Sequence, residues 1–141
     1  KVLTVTKGWS ESYGLFTDGE ADMVLSYTTS PAYHIVAEGD LTKKAAIFPE
    51  GHYFMVELAA KIAGTDNPEL ADAFLAFILT DTFQNLIPTG NWSLPAALPV
   101  PEWPEAFQEL PLPEKVLFYS EDEAADLRAE TIEEWRRALS K

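Results

Sequence analysis

Leu25-Ser26-Tyr27-Thr28-Thr29-Ser30-Pro31-Ala32-Tyr33-His34 holds the change of element that decides the fold. Ahead of it, Asp22 to Tyr27 has the apolar core Met23-Val24-Leu25 and predicts a buried strand with Tyr27 at its carboxyl end. Ser30-Pro31 then starts a helix, with a capping hydroxyl followed by proline at the first helical position. That helix runs through Ala32 to Ala37 and stops at Glu38-Gly39-Asp40. Thr28-Thr29 therefore joins a strand end to a helix amino terminus. In open α/β sheets ligands commonly bind at such joints, because loops converge there and free backbone N–H groups point outward.

Working outward, Val2 to Thr6 alternates apolar and polar residues and predicts a short strand that turns at Lys7-Gly8, directly before Trp9. Ser10 is a candidate cap for a short helix that runs from it through Gly14 to Thr17, broken by Asp18-Gly19. Downstream, Ala45–Phe48 and Tyr53–Leu58 read as strands around Pro49-Glu50-Gly51-His52, although residues 57–61 also fit a helix. Asn67-Pro68 opens a helix whose Leu70, Phe74, Phe77 and Ile78 form one apolar stripe. Thr80 caps a further helix over Asp81 to Leu86, which Pro88 ends, and the stretch to Pro113 is proline-rich and irregular. Ser120-Glu121-Asp122-Glu123 is a capping box for a last helix to about Ser140, with Leu127, Thr131, Trp135 and Leu139 on one face. The order of elements gives an α/β class in three segments: residues 1–87, the proline-rich 88–113, and 114–141.

The 141 residues, 47% of them hydrophobic, suffice for one domain with a buried core. A formal charge of −13 repels phosphate backbones, so no nucleic-acid partner is expected. The same charge permits a cationic ligand, and solubility explains it equally well. The absence of cysteine removes disulfides, thiolate metal sites and cysteine catalysis, and leaves the compartment open. No apolar run approaches the roughly 20 residues of a membrane span, and Lys1 to Thr6 is not a signal peptide. A soluble chain is expected, with any export signal lost or lying upstream.

Enzyme signatures are scarce. The sequence holds no nucleophile elbow, phosphate loop, zinc-protease helix or dinucleotide fingerprint. His34 and His52 are the two histidines, and surface or hydrogen-bonding roles suit them better than ligation or base catalysis. Glu121-Asp122-Glu123 and Glu133-Glu134 are explained by a helix cap and a solvated face. More distinctive are aromatic residues beside turns: Trp9, Tyr27, Tyr33 and Trp92. Their faces suit a flat heteroaromatic cation, at about 0.5–2 kcal/mol each when desolvated. The competing reading is that they plug the ends of a core.

Three stretches carry a resemblance: Thr6-Lys7-Gly8-Trp9-Ser10-Glu11-Ser12-Tyr13-Gly14-Leu15-Phe16; Leu25 to His34; and Phe83-Gln84-Asn85-Leu86-Ile87-Pro88-Thr89-Gly90-Asn91-Trp92. Together they closely resemble the periplasmic thiamine-binding proteins of bacterial ABC importers. The resemblance runs over essentially the whole chain, is weakest from about Leu94 to Tyr119, and covers only the later half of the family's chain. It implies the carboxyl-terminal part of a type II periplasmic-binding fold, in which two α/β lobes joined by hinge segments hold thiamine between them. Carried over by motif, the residues stacking on the ligand are Trp9, Tyr27, Tyr33 and Trp92. The implied partners are thiamine or its phosphates, the membrane permease, and the earlier lobe of the same protein. That earlier lobe also supplies a carboxylate in the family, and no acidic residue here is assigned to the thiazolium. On this reading 88–113 is a hinge or crossing segment, and the last helix packs on the other lobe. A periplasmic location, no catalytic residue, no metal and no cofactor are implied. Alternatives are a carrier for ferric ion, which Tyr27 and Tyr33 superficially fit, or for a polyamine. A thiamine-processing enzyme is disfavoured because no cysteine nucleophile is present.

Overall fold

The computed structural model describes residues 2–139, which form two compact units. The first comprises the described parts of Lys1–Ser26 and Lys115–Lys141 together with Gly51–Phe54. The second comprises Tyr27–Glu50 and Met55–Glu114.

In the first unit, α1 (Trp9–Thr17) starts two residues earlier than Ser10 would place it as a cap. Gly8 occupies the cap position in extended conformation and offers no side chain. The chain just ahead of it is held by the Glu11 carboxylate, which accepts from the Lys7 N–H at 3.0 Å, and by the Thr6 hydroxyl, which donates to the Gly8 carbonyl at 2.7 Å. α7 (Glu121–Leu139) opens as its sequence requires. The Ser120 hydroxyl accepts from the Glu123 N–H at 3.3 Å, and the Glu123 carboxylate accepts from the Ser120 N–H at 2.9 Å. The Ser120 hydroxyl and, after it, its N–H hold the Glu123 carboxyl below the usual carboxylate range. Along α7, Leu127 and Trp135 are exposed.

The two strands of the unit, β1 (His52–Tyr53) and β2 (Val116–Leu117), pair in parallel, with His52 opposite Val116. Gly51 leads into them at φ +111°, and a Cβ there would lie 3.0 Å from the Lys115 carbonyl oxygen. Only glycine meets both conditions. Gly51→Ala is expected to lower stability by about 1–2 kcal/mol or more, from the backbone conformation before the clash is counted. A urea melt beside the unaltered protein measures it.

Elsewhere the expected strands are extended chain without a ladder. Val2–Thr6, Asp22–Tyr27 and Ala45–Phe48 pair with no strand among the described residues, and Tyr53–Leu58 contributes only its first residue. A strand's hydrogen bonds belong to its neighbour, so alternation alone does not make a sheet.

In the second unit, α2 (Ser30–Tyr33) continues as a π turn, His34–Glu38, closed by Gly39 at φ +68°. α3 (Pro68–Phe77) begins at proline as expected, with Asn67 at the cap position making no side-chain bond. Its stripe residues Leu70, Phe74 and Phe77 are exposed. α4 (Asp81–Gln84) and α5 (Ile87–Gly90) follow. No single described helix is long and apolar enough to cross a membrane; Pro68–Phe77 with Asp81–Gly90, bent by 65°, passes that test only as a pair. The proline-rich stretch is not featureless: it contains a 3₁₀ turn, Val100–Glu102, and α6 (Glu105–Gln108). Phe107 and Leu110 from this stretch form the core with Ala32, and Trp92, Leu94, Trp103 and Ala106 pack against it. Buried Gln84 ties the stretch down, donating to the Ile78 carbonyl at 2.7 Å and accepting from the Ala97 N–H at 2.9 Å.

Candidate functional site

The turn before α2 is a small hydrogen-bonded unit. The Ser30 N–H donates to the Tyr27 carbonyl at 3.0 Å, and the Ser30 hydroxyl accepts from the Tyr27 N–H at 3.3 Å. Pro31 and Ala32 are buried, so the face of α2 opposite the core turns Tyr33 outward at 39% exposure. His34, next in sequence, goes inward, 1% exposed, and its Nδ1–H donates to the Glu38 carboxylate at 2.6 Å. That bond spans the π turn and fixes where α2 ends. It also fits the hydrogen-bonding role expected for His34.

Trp92 approaches from the other side of the core. It follows α5 in the left-handed region, φ +52°, the sole non-glycine among the described residues with positive φ. A bulky residue held there costs on the order of 1–3 kcal/mol and persists only where its surroundings enforce it. Two contacts do so. The Trp92 ring lies nearly parallel to buried Phe107, centroids 6.5 Å apart and planes at 13°. Its other contact is Tyr33, edge to face at 5.0 Å and 87°. Asn91, one residue earlier, donates to the Glu57 carboxylate at 3.0 Å and to the Ser93 hydroxyl at 3.3 Å. The outcome is a rigid L-shaped aromatic corner with half-buried Trp92 backed by the core.

The structure thus brings together two of the four aromatic residues singled out from sequence. Tyr27, 57% exposed, stands one turn before α2 in the same unit and is outside the ring pair. Trp9 belongs to the first unit, where its ring stacks on Tyr13 at 4.6 Å and its indole N–H donates to the Ser26 hydroxyl at 3.0 Å. Both residues are exposed in their own units. Phe107, Asn91 and Glu57 escaped the sequence reading. Phe107 sits among prolines that hide its helix, and Glu57 meets Asn91 across 34 residues, a separation that no periodicity reports.

Among the described residues, a metal reading has one set of groups to consider. Ligand atoms of His34, Glu38 and Asp40 lie within 4.8 Å of one another. Each already has work: His34 Nδ1 carries the proton given to Glu38, and Asp40 accepts from the Thr42 N–H at 2.7 Å and its hydroxyl at 2.6 Å. Those Thr42 bonds, hydroxyl first, lower the Asp40 pKa. The set reads as a cap for the π turn.

Comparison with known proteins matches residues 2–85 to the family model described as bacterial extracellular solute-binding protein. The chain belongs to this family. Within it, the "Thiamine-binding periplasmic protein" of Escherichia coli strain K12 is 52% identical over 141 residues, which is 100% of this chain and 42% of that protein. The protein of the same description from Brucella abortus is 53% identical over 142 residues, with the same shares. A solved structure, "Periplasmic thiamin binding protein", superposes with a TM-score of 0.85 at 51% identity, covering 96% of this chain and 42% of that one. The chain therefore has part of the periplasmic-binding α/β fold and spans about two fifths of the length of the solute-binding relatives it matches.

Proposed function

We propose that this chain is the carboxyl-terminal part of a periplasmic thiamine carrier, supplying an aromatic wall for thiamine or its phosphates and handing the ligand to an ABC importer's permease. The observation carrying the proposal is the Tyr33–Trp92 corner: two rings at 87° with centroids 5.0 Å apart, one of them held in a strained backbone conformation. Aromatic faces attract cations, and a planar heteroaromatic cation gains stacking contact with them that a compact hydrated one does not. Relatives described as thiamine-binding at about half identity point to the same ligand. Tyr27 and Trp9 are further candidate contacts for the ligand, each partly exposed in its own unit. The exposed stripe of α7, with Leu127 and Trp135, faces the other lobe. The protein binds and releases; it catalyses nothing.

A ferric carrier would use the phenolate oxygens of Tyr27 and Tyr33, but it has no use for the Trp92 ring that packs on Tyr33. Tryptophan fluorescence separates these ligands, because two of the chain's four tryptophans are assigned to the wall. Thiamine is expected to quench emission saturably in the full-length protein, while ferric ion and spermidine leave it unchanged. A response to ferric ion and none to thiamine would refute the assignment.

A further inference from the structure

A carrier for a cation needs a negative charge beside its aromatic wall, since ring faces alone stabilise a cation only modestly. Three carboxylates are tied to the elements that present Tyr33 and Trp92. Glu38 is committed to the His34 N–H, and Asp40 to the Thr42 hydroxyl and N–H. Glu57 differs from both. One of its oxygens accepts from the neutral Asn91 amide at 3.0 Å, and the other has no hydrogen-bond partner among the described residues. A neutral amide orients a carboxylate without cancelling its charge. Glu57 is exposed, and Asn91 precedes Trp92, so the two Cα atoms are about 3.8 Å apart.

Resting on the thiamine reading, we infer that Glu57 is the specificity-determining carboxylate of the site, recognising the ligand's positive charge while Asn91 holds it next to the Trp92 turn. Its position on the stretch after β1 brings a charge from a distant part of the sequence to the wall. The preference for a cation over a neutral heteroaromatic of the same shape then comes from Glu57, and the preference for a flat ligand from Tyr33 and Trp92.

The test uses Glu57→Gln, which keeps an oxygen for the Asn91 amide and removes only the charge, with Asn91→Ala and the distant surface change Glu134→Gln for comparison. Each is titrated with thiamine by calorimetry in the full-length protein, after a thermal melt. Glu57→Gln is expected to weaken thiamine binding about tenfold or more, the scale of one lost contact to a charged group, with an unchanged melting temperature. Asn91→Ala is expected to lose less, and Glu134→Gln to bind as the unaltered protein does. Unaltered affinity in Glu57→Gln overturns the inference. So does an equal loss in Asn91→Ala with no further loss in the double variant, because Glu57 would then act only by holding Asn91. If the unaltered protein binds no thiamine, the thiamine reading itself fails; if it binds and Glu57→Gln binds equally well, only the role of Glu57 fails.

Discussion

Phe107→Ala is expected to lower the stability of the protein by about 3–5 kcal/mol, the cost of emptying a buried aromatic site that its surroundings fill only in part. Phe107 is 1% exposed, forms the core with Ala32 and Leu110, and stacks on Trp92. The loss is a large share of a typical domain's 5–15 kcal/mol. Because the Trp92 ring lies against Phe107, the variant is also expected to bind thiamine more weakly even where it remains folded. Urea denaturation followed by tryptophan emission gives the first quantity, and titration well below the unfolding midpoint gives the second. A fall of less than 1 kcal/mol would mean that the core is built elsewhere.

Trp92→Ala separates wall from core. If Trp92 forms the proposed wall, loss of the indole is expected to lower thiamine affinity by about 1–3 kcal/mol, the range for an aromatic anchor. Stability should fall too, because the ring also packs on Phe107 and Tyr33. Two effects partly offset that loss. The ring is only half buried, and alanine at φ +52° keeps the backbone strain without the bulk. Trp92→Gly therefore makes an informative companion. Glycine accepts positive φ freely, so it should be less destabilised than its small size suggests while binding as poorly as Trp92→Ala. Calorimetric titration and thermal melts of the pair distinguish a ligand wall from a core plug. A large stability loss with unaltered affinity of the folded fraction would identify a plug.

How much of this was legible in the sequence depended on where each element's partners lie. Helix ends carry theirs locally, and the Ser120–Glu123 capping box and the start at Pro68 appear where their residues put them. The helix at Ser30-Pro31 begins one residue early, at Ser30, with Thr29 at the cap position making no side-chain bond. Strands take their partners from elsewhere. Val2, Leu3, Val5, Met23 and Leu25 alternate or cluster as strand residues do, yet they are exposed on unpaired chain. The relatives that match this chain are more than twice its length, and a ladder partner is not something that a local pattern can supply. The same distinction applies at the site. Tyr33 and Trp92 stood out because they flank turns, and the structure places them ring to ring. Phe107 was hidden by the prolines around it, with Pro104 itself at the cap position of α6. The Glu57–Asn91 bond links positions 34 residues apart through an amide and a carboxylate, residue types too common on surfaces to be noticed singly.

Isothermal titration of thiamine into the full-length protein, at an ionic strength near physiological, asks directly whether an aromatic corner of this kind belongs to a thiamine carrier. Saturable binding at micromolar or tighter affinity, lost in Trp92→Ala and retained in Glu134→Gln, is the predicted result. No heat from a sample shown to be folded, together with saturable binding of ferric ion or spermidine, would contradict it.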